Sequence, residues 1–225
     1  LEKDGPLAIV TLTNPPLNVL HPQMVAELEA CFSILATAAD VVVAILTGQG
    51  DRAFCARFDI KEFPRLMVPG GAEALARQLH TSFLKIDYLG KPTIAAVNGL
   101  ALGGGLELAM ACDLRIARKG AGKIGLPEVS LGVLPGTGGT QRLARLVGRS
   151  RAIQLMCEGQ TFDFETALAT GLVNEAYVAD GYASDYIHRF DKAGKYLASF
   201  GGKKAPYNFN TLHKLAIDTR FQPAR

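Results

Sequence analysis

Three consecutive glycines, Gly103 to Gly105, stand between two stretches that ask for different backbones. Before them, residues 93–97 form a β-branched and apolar run that reads as a buried strand. After them, residues 106–111 are good helix formers. A strand feeding a helix through glycines lacks Cβ atoms at the junction, so backbone there can approach another chain segment or a ligand closely. N–H groups in a first helical turn have no partner within the helix and favour negative charge, fixed or developing. A helix beginning near Gly104 places Glu107 three residues on, on the same face. Backbone donor and carboxylate then share one surface. On this stretch alone two readings stand: a reactive site, or tight helix–strand packing beside a solvated first-turn carboxylate.

The rest of the chain repeats the alternation. Residues 7–12, 41–46 and 114–117 read as further strands, and 53–63 as a short strand or loop. Residues 22–37 have helical spacing, with Met24, Leu28, Phe32 and Leu35 on one side, and 72–88 form a second helix. Asp59 is placed to cap one helical turn before Pro64. Strand–helix alternation of this kind predicts an α/β layered fold. After Gly122 the character changes. Residues 138–147, 150–157 and 163–169 read as helical pieces separated by glycines, and 172–178 as a last extended segment. The tail from 182 to 216 reads as helix-rich, interrupted by Gly201-Gly202 and Pro206. A soft boundary near 170 divides a core carrying the site, 1–170, from a helical C-terminal region, 171–225.

Composition narrows the function classes. A chain of 225 residues with 48% hydrophobic content can bury a sizeable core. A net charge of +3 without a basic block gives no footprint for nucleic acid or an anionic membrane surface. No apolar run approaches the roughly 20 residues of a membrane helix. The four cysteines, Cys31, Cys55, Cys112 and Cys157, have no metal-ligand spacing and suit a reducing compartment; with four histidines outside any ligand motif, a structural metal is not expected. A cytoplasmic protein is expected. The start at Leu1 also fits a module of a longer polypeptide, or an organellar chain whose targeting segment has been removed.

Several motifs fail on context. Residues 120–125, Gly-Ala-Gly-Lys-Ile-Gly, match a dinucleotide-binding pattern by letters, but Pro127 follows where a helix must start. No Gly-Lys pair precedes Ser or Thr as a phosphate loop requires, and no nucleophile elbow occurs. Carboxylate chemistry remains. Glu128, in Gly125-Leu126-Pro127-Glu128-Val129, is a charge in an apolar run fixed by a preceding proline. Two carboxyl groups in apolar settings can hold one water between them, one accepting and one donating a proton. Each glutamate alone also reads as a satisfied structural acid; with the glycine-lined helix start, the pair points to catalysis.

Residues 97–113, then Gly125-Leu126-Pro127-Glu128, then 132–143 (Gly-Val-Leu-Pro-Gly-Thr-Gly-Gly-Thr-Gln-Arg-Leu), resemble the crotonase superfamily, and within it the enoyl-CoA hydratase/isomerase group. Residues 14–18 and 54–60 are similar to that family's earlier motifs, so the resemblance spans about residues 7–178. It implies an α/β crotonase-like spiral of strand–helix (ββα) repeats with a helical C-terminal region. It also implies an acyl-CoA thioester substrate, no separate cofactor and no metal, and a homotrimer or a hexamer of paired trimers. By the same resemblance the oxyanion hole falls on the backbone N–H groups of Phe58 and Gly104. Glu107 is then the base that activates water, and Glu128 the acid that protonates the α-carbon. Ala56, Arg57, Asp59, Ile60, Lys61, Gly103, Pro127 and Gly136 are the implied substrate contacts.

Arg57 departs from the pattern, standing where the family carries glycine. If that position needs a positive φ or close approach to the ligand, arginine brings strain or obstruction; turned outward, it meets a coenzyme A phosphate instead. Disturbed geometry is the first expectation. Lys61, Lys85 and Lys214 are conceivable phosphate contacts, ordinary surface lysines being the plainer reading. Hydration of a 2-trans-enoyl-CoA leads. Movement of a double bond between the 3,4 and 2,3 positions, by one carboxylate, is the alternative within the enzyme class. A catalytically weak assembly module is the alternative outside it.

Overall fold

The structure, a computed structural model, describes residues 1–62, 64, 68–180, 186–190 and 196–201. Its plan follows from pairs of strands that diverge into two sheets. Strand β2 (Leu7–Leu12) carries β1 (Glu2–Asp4) antiparallel on one side. On its other side it pairs in parallel with β3 (Val43–Gly48), which starts at Val43 and not at Val41. β3 is followed by the short β4 (Ala53–Cys55), β5 (Thr93–Val97) by β6 (Leu100–Leu102), and β7 (Leu114–Arg118) by β8 (Lys123–Gly125). The first member of each pair joins an eight-stranded sheet, in the order β3-β5-β7; the second joins a four-stranded sheet, β4-β6-β8. The chain therefore winds as a spiral, advancing one strand position in both sheets with each turn.

Parallel strands are stable where both faces are covered. All five residues of β5 are buried, as the β-branched run 93–97 requires. Helix α1 (Pro22–Thr37), capped by His21 Nδ1 accepting from the Met24 N–H, buries Met24, Val25, Leu28, Phe32 and Leu35. Helix α2 (Gly71–Asp87) packs beside it and adds Leu79, Phe83 and Ile86 to the same core. Helix α3 (Gly104–Met110) is the most enclosed, with Gly105 through Met110 all buried. Gly105 can be nothing larger, since a Cβ there would lie 1.8 Å from the Cys55 carbonyl oxygen. That contact seats α3 directly on β4.

After β8 a 3-10 turn (Glu128–Leu131) leads to α4 (Gly139–Val147) and α5 (Arg149–Glu158). β9 (Thr161–Asp163) closes the small sheet against β8, and Asp163 caps α6 (Phe164–Ala169) by accepting from the Thr166 N–H. Three strands complete the large sheet: β10 (Glu175–Asp180) lies parallel to β7, then β11 (Tyr186–Phe190) and β12 (Tyr196–Gly201) follow antiparallel.

The helical C-terminal region expected from the sequence is corrected here for its described part. Residues 186–190 and 196–201 of the tail are strands, while β10 at 175–180 meets the extended segment expected at 172–178. The edge of β7 offers a row of backbone groups awaiting partners. Runs rich in aromatic and aliphatic residues, such as Tyr186-Ile187-His188-Arg189-Phe190, suit a pleated surface better than their helix propensity suggests. The large sheet thus runs across the boundary placed near residue 170. Pro206, Lys214 and the rest of the tail after residue 201 lie outside the described residues.

Candidate active site

The loop after β2 sets the first donor. Asn18, fully buried with φ of 50°, donates through Nδ2 to the carbonyls of Gln49 and Ala53, both at 2.9 Å. Its Oδ1 accepts from the Asn14 N–H at 3.1 Å. Residues 56–59 then run alongside 17–20. Ala56 N–H donates to the Leu17 carbonyl at 3.0 Å, Leu20 N–H to the Arg57 carbonyl at 2.9 Å, and Asp59 N–H to the Leu20 carbonyl at 2.7 Å. In a trans peptide the N–H points opposite to the preceding C=O. With the Arg57 carbonyl directed at Leu20, the Phe58 N–H is turned the other way, toward α3. A Cβ on Gly104 would lie 3.5 Å from the Phe58 nitrogen. Gly104 begins α3, where N–H groups lack helical partners. Among the described residues neither the Phe58 nor the Gly104 N–H donates to another protein group.

Glu107 lies in the first turn of α3 and is only 2% exposed. Its Oε1 accepts from the Thr137 N–H at 2.8 Å and the Gly139 N–H at 2.7 Å, and among the described residues none bonds Oε2. A Cβ on Gly139 would lie 2.7 Å from that same Oε1, so glycine is what lets the α4 terminus close on the carboxylate. Arg142 holds the donor loop from behind. Its Nη1 donates to the Thr137 carbonyl at 2.7 Å, and its Nη2 pairs with Asp87 at the end of α2.

Glu128 opens the 3-10 turn after Pro127 and lies over Gly103, whose missing Cβ would sit 2.8 Å from Glu128 Oε1. Gly103 itself takes φ 53°, ψ −126°, a conformation that side chains with a Cβ rarely adopt. Burial pushes the Glu128 carboxyl up to about 7, and the neighbouring Glu107 charge adds to the rise. Near neutrality Glu128 therefore carries a proton for a large part of the time. A cavity of about 430 Å³ brings these groups together: Phe58, Gly104, Glu107, Glu128, Gly136 and Thr137 line it with an apolar wall from α2 and Leu20. Two uncommitted N–H donors beside a proton-holding acid and a doubly anchored carboxylate can stabilise an oxyanion while moving protons at an adjacent atom.

Of the other sequence candidates Gly136 lines this cavity, and the remaining ones are not among its lining residues. Gly103 lies beneath Glu128 and Ala56 is buried behind Phe58. Asp59 Oδ1 accepts from the Lys61 N–H at 3.0 Å, capping the turn Ile60–Glu62 as expected, while Ile60 and Lys61 are exposed. Pro127 accepts from Ser130 through its carbonyl, which fixes the turn carrying Glu128. Arg57 is exposed and has an ordinary backbone, Asn18 being the positive-φ residue other than glycine among the described ones. The strain expected of it is absent, because the neighbouring bonds to 17–20 leave its φ in the common range. Lys85 is engaged with Glu29 at 2.6 Å and Ser33 at 3.1 Å, away from the cavity.

Sequence reasoning missed Thr137, Gly139 and Arg142 as holders of Glu107. The signal present was Gly138-Gly139 ahead of a helix, a second source of unpaired N–H groups. Burial raises the Cys55 and Cys112 thiols to about 12, which removes both as thiolate nucleophiles. Among the described residues no three His, Cys, Asp or Glu side chains cluster as metal ligands, and no helix is long and apolar enough to cross a membrane.

Known proteins carry the same plan. The model of a family described as enoyl-CoA hydratase/isomerase matches residues 2–197. A probable enoyl-CoA hydratase of Bacillus subtilis is 41% identical over 220 residues, 98% of this chain and 82% of the relative. A short-chain-enoyl-CoA hydratase of Clostridium acetobutylicum is 43% identical over 178 residues, 78% of this chain and 67% of the relative. The crystal structure of an enoyl-CoA hydratase from Bacillus anthracis superposes with a TM-score of 0.74 at 36% identity, over 78% of this chain and 67% of that one. The chain thus spans about two thirds of the length of several proteins it matches.

Proposed function

Since the chain belongs to the enoyl-CoA hydratase/isomerase family, we propose that it is an enoyl-CoA hydratase, a hydro-lyase adding water across the 2,3 double bond of a 2-trans-enoyl-CoA of the fatty-acid β-oxidation type. The observation that carries this reading is one cavity lined by two N–H groups that no described protein group accepts from, by Glu107, and by a Glu128 whose carboxyl burial pushes up to about 7.

The thioester oxygen sits between the N–H groups of Phe58 and Gly104. Glu107 takes one proton from water as the water oxygen bonds to C3. The C2–C3 π electrons shift toward C1 and build negative charge on the thioester oxygen, where the two N–H groups stabilise it. Removing one such donor typically costs about 10²–10³ in rate. Glu128 gives its proton to C2 as the C1–C2 enolate collapses. The second water hydrogen stays on the new 3-hydroxyl, and exchange with solvent returns Glu107 to carboxylate and Glu128 to acid. Oε1 of Glu107 is held by two N–H groups, so its orientation is set before substrate arrives. The coenzyme A portion supplies binding remote from the reacting bond, and the reaction calls for neither a resident cofactor nor a metal.

The chain assembles as a homotrimer or a pair of trimers in this reading, a mass of three or six chains by light scattering being the check. The family resemblance supports that, together with exposed apolar side chains at Val129, Leu131 and Leu134 beside the cavity. Four free thiols suit the cytoplasm.

The activity test is loss of the enoyl-thioester absorbance with crotonyl-CoA. Glu107→Gln removes the base while keeping an oxygen for the Thr137 and Gly139 donors, so hydration is expected to fall by about 10²–10⁴. Binding of crotonyl-CoA by the unaltered chain without turnover would refute the hydratase and favour double-bond migration.

A further inference from the structure

Thr137 holds Glu107 through its backbone N–H, yet its side chain is the unusual part. Its N–H is held by Glu107 Oε1 at 2.8 Å and its carbonyl by Arg142 Nη1 at 2.7 Å, so the main chain is fixed on both sides. The hydroxyl is not. Thr137 is 5% exposed, its Oγ1 is buried, and among the described residues no protein group bonds it. Glu128 Oε2 is in the same condition, and both residues line the cavity that contains Glu107. A buried hydroxyl left unpaired is destabilising, and a methyl group of the same shape would remove that cost. Two such oxygens on residues that line one cavity, beside a carboxylate whose Oε2 no described group bonds, fit a small polar molecule that accepts and donates at once.

We propose that the Thr137 hydroxyl is a further catalytic group, holding the reacting water together with the two glutamates. This rests on the hydratase reading. Water gives one hydrogen to Glu107 and keeps the other. Thr137 Oγ1 accepts a hydrogen bond from the hydrogen that stays, which becomes that of the product 3-hydroxyl. Thr137 neither gains nor loses a proton. Its effect is orientation: with one hydrogen directed at Glu107 and the other at Thr137, a water lone pair is aimed at C3.

The test compares crotonyl-CoA kinetics of the unaltered chain, Thr137→Val, Thr137→Ala and Thr137→Ser, with butyryl-CoA affinity of each by calorimetry. Butyryl-CoA has the thioester and no double bond, so it reports the pocket without the water step. In Val and Ala, kcat is expected to fall about three- to tenfold, as for loss of one hydrogen bond, with KM and butyryl-CoA affinity within about twofold. Ser, which restores the hydroxyl, is expected to recover most of kcat. Undiminished kcat in Val and Ala overturns the proposal. So does a loss shared by Ser, or one matched by weaker butyryl-CoA binding, each of which would mark a wall residue only. An unaltered chain that binds butyryl-CoA and hydrates nothing overturns the hydratase reading and this one with it, a failure distinct from that of Thr137 alone.

Discussion

A carboxyl group that holds its proton to about pH 7 gives Glu128 two signatures. In catalysis the protonated form is the donor, so kcat/KM for hydration is expected to decline as pH rises above about 7, the limb being read from a pH–rate profile. In stability the sign follows from linkage. The folded-state value lies above the ordinary glutamate value of 4.5, so the folded chain binds the proton more tightly than the unfolded one. Stability from this group is fully present below 4.5 and lost as pH rises through about 7. Glu128→Gln cannot ionise. Its melting temperature relative to the unaltered chain is therefore expected to rise across that window, measured by calorimetry at successive pH values. Arg57 makes the opposite kind of residue. Exposed and unstrained, it is expected to tolerate Arg57→Gly with hydration kcat changed less than about threefold, as for surface substitutions generally. A large rise in kcat on that change would restore the obstruction reading.

Among the elements, those long enough to show a period were legible. The α1 helix matches the 22–37 expected from its apolar spacing, and β2 and β5 match their runs. Strands β6, β8 and β9 have three residues each and carry no usable period; they exist because neighbouring strands supply their hydrogen bonds. α4 shows how an element acquires a task. Its first turn and the residues before it hold Glu107, and Arg142 on the same helix ties Thr137 to Asp87 of α2. Arg142→Ala leaves a half-buried carboxylate and a carbonyl unpaired. A loss of roughly 2–3 kcal/mol in urea unfolding is expected, below the range for fully buried pairs because Asp87 is partly exposed. Hydration kcat should fall as well, since the donors to Glu107 lose their anchor. Unchanged stability and kcat would show that the loop is held by packing alone.

At the scale of the whole molecule, Arg115 links the spiral to the strands beyond it. It is 2% exposed, and its guanidinium donates to the carbonyls of Leu172 at 2.8 Å and Cys112 at 2.7 Å. Its N–H and Nη2 both reach Asn174 Oδ1, just before β10. Burial is the main influence lowering its basicity, and carbonyl oxygens supply much of what water would. Arg115→Ala removes these bonds together with a large buried side chain. It is expected to cost about 3–5 kcal/mol in urea unfolding, and a change under about 1 kcal/mol would show that the junction is held elsewhere.

The amino-acid sequence by itself determined the long strands and helices, the glycine-opened helix with Glu107, and a proline-fixed Glu128, because these depend on neighbours a few residues away. Tertiary structure decided the rest. Phe58 faces Gly104, and Thr137 and Gly139 close on Glu107 from some thirty residues along the chain. Such contacts depend on the register of parallel strands and on where a missing Cβ lets two backbones meet, and neither leaves a periodic trace. The strands at 186–190 and 196–201, where the sequence reads as helix-rich, were decided the same way, by the sheet edge that β7 and β10 leave open.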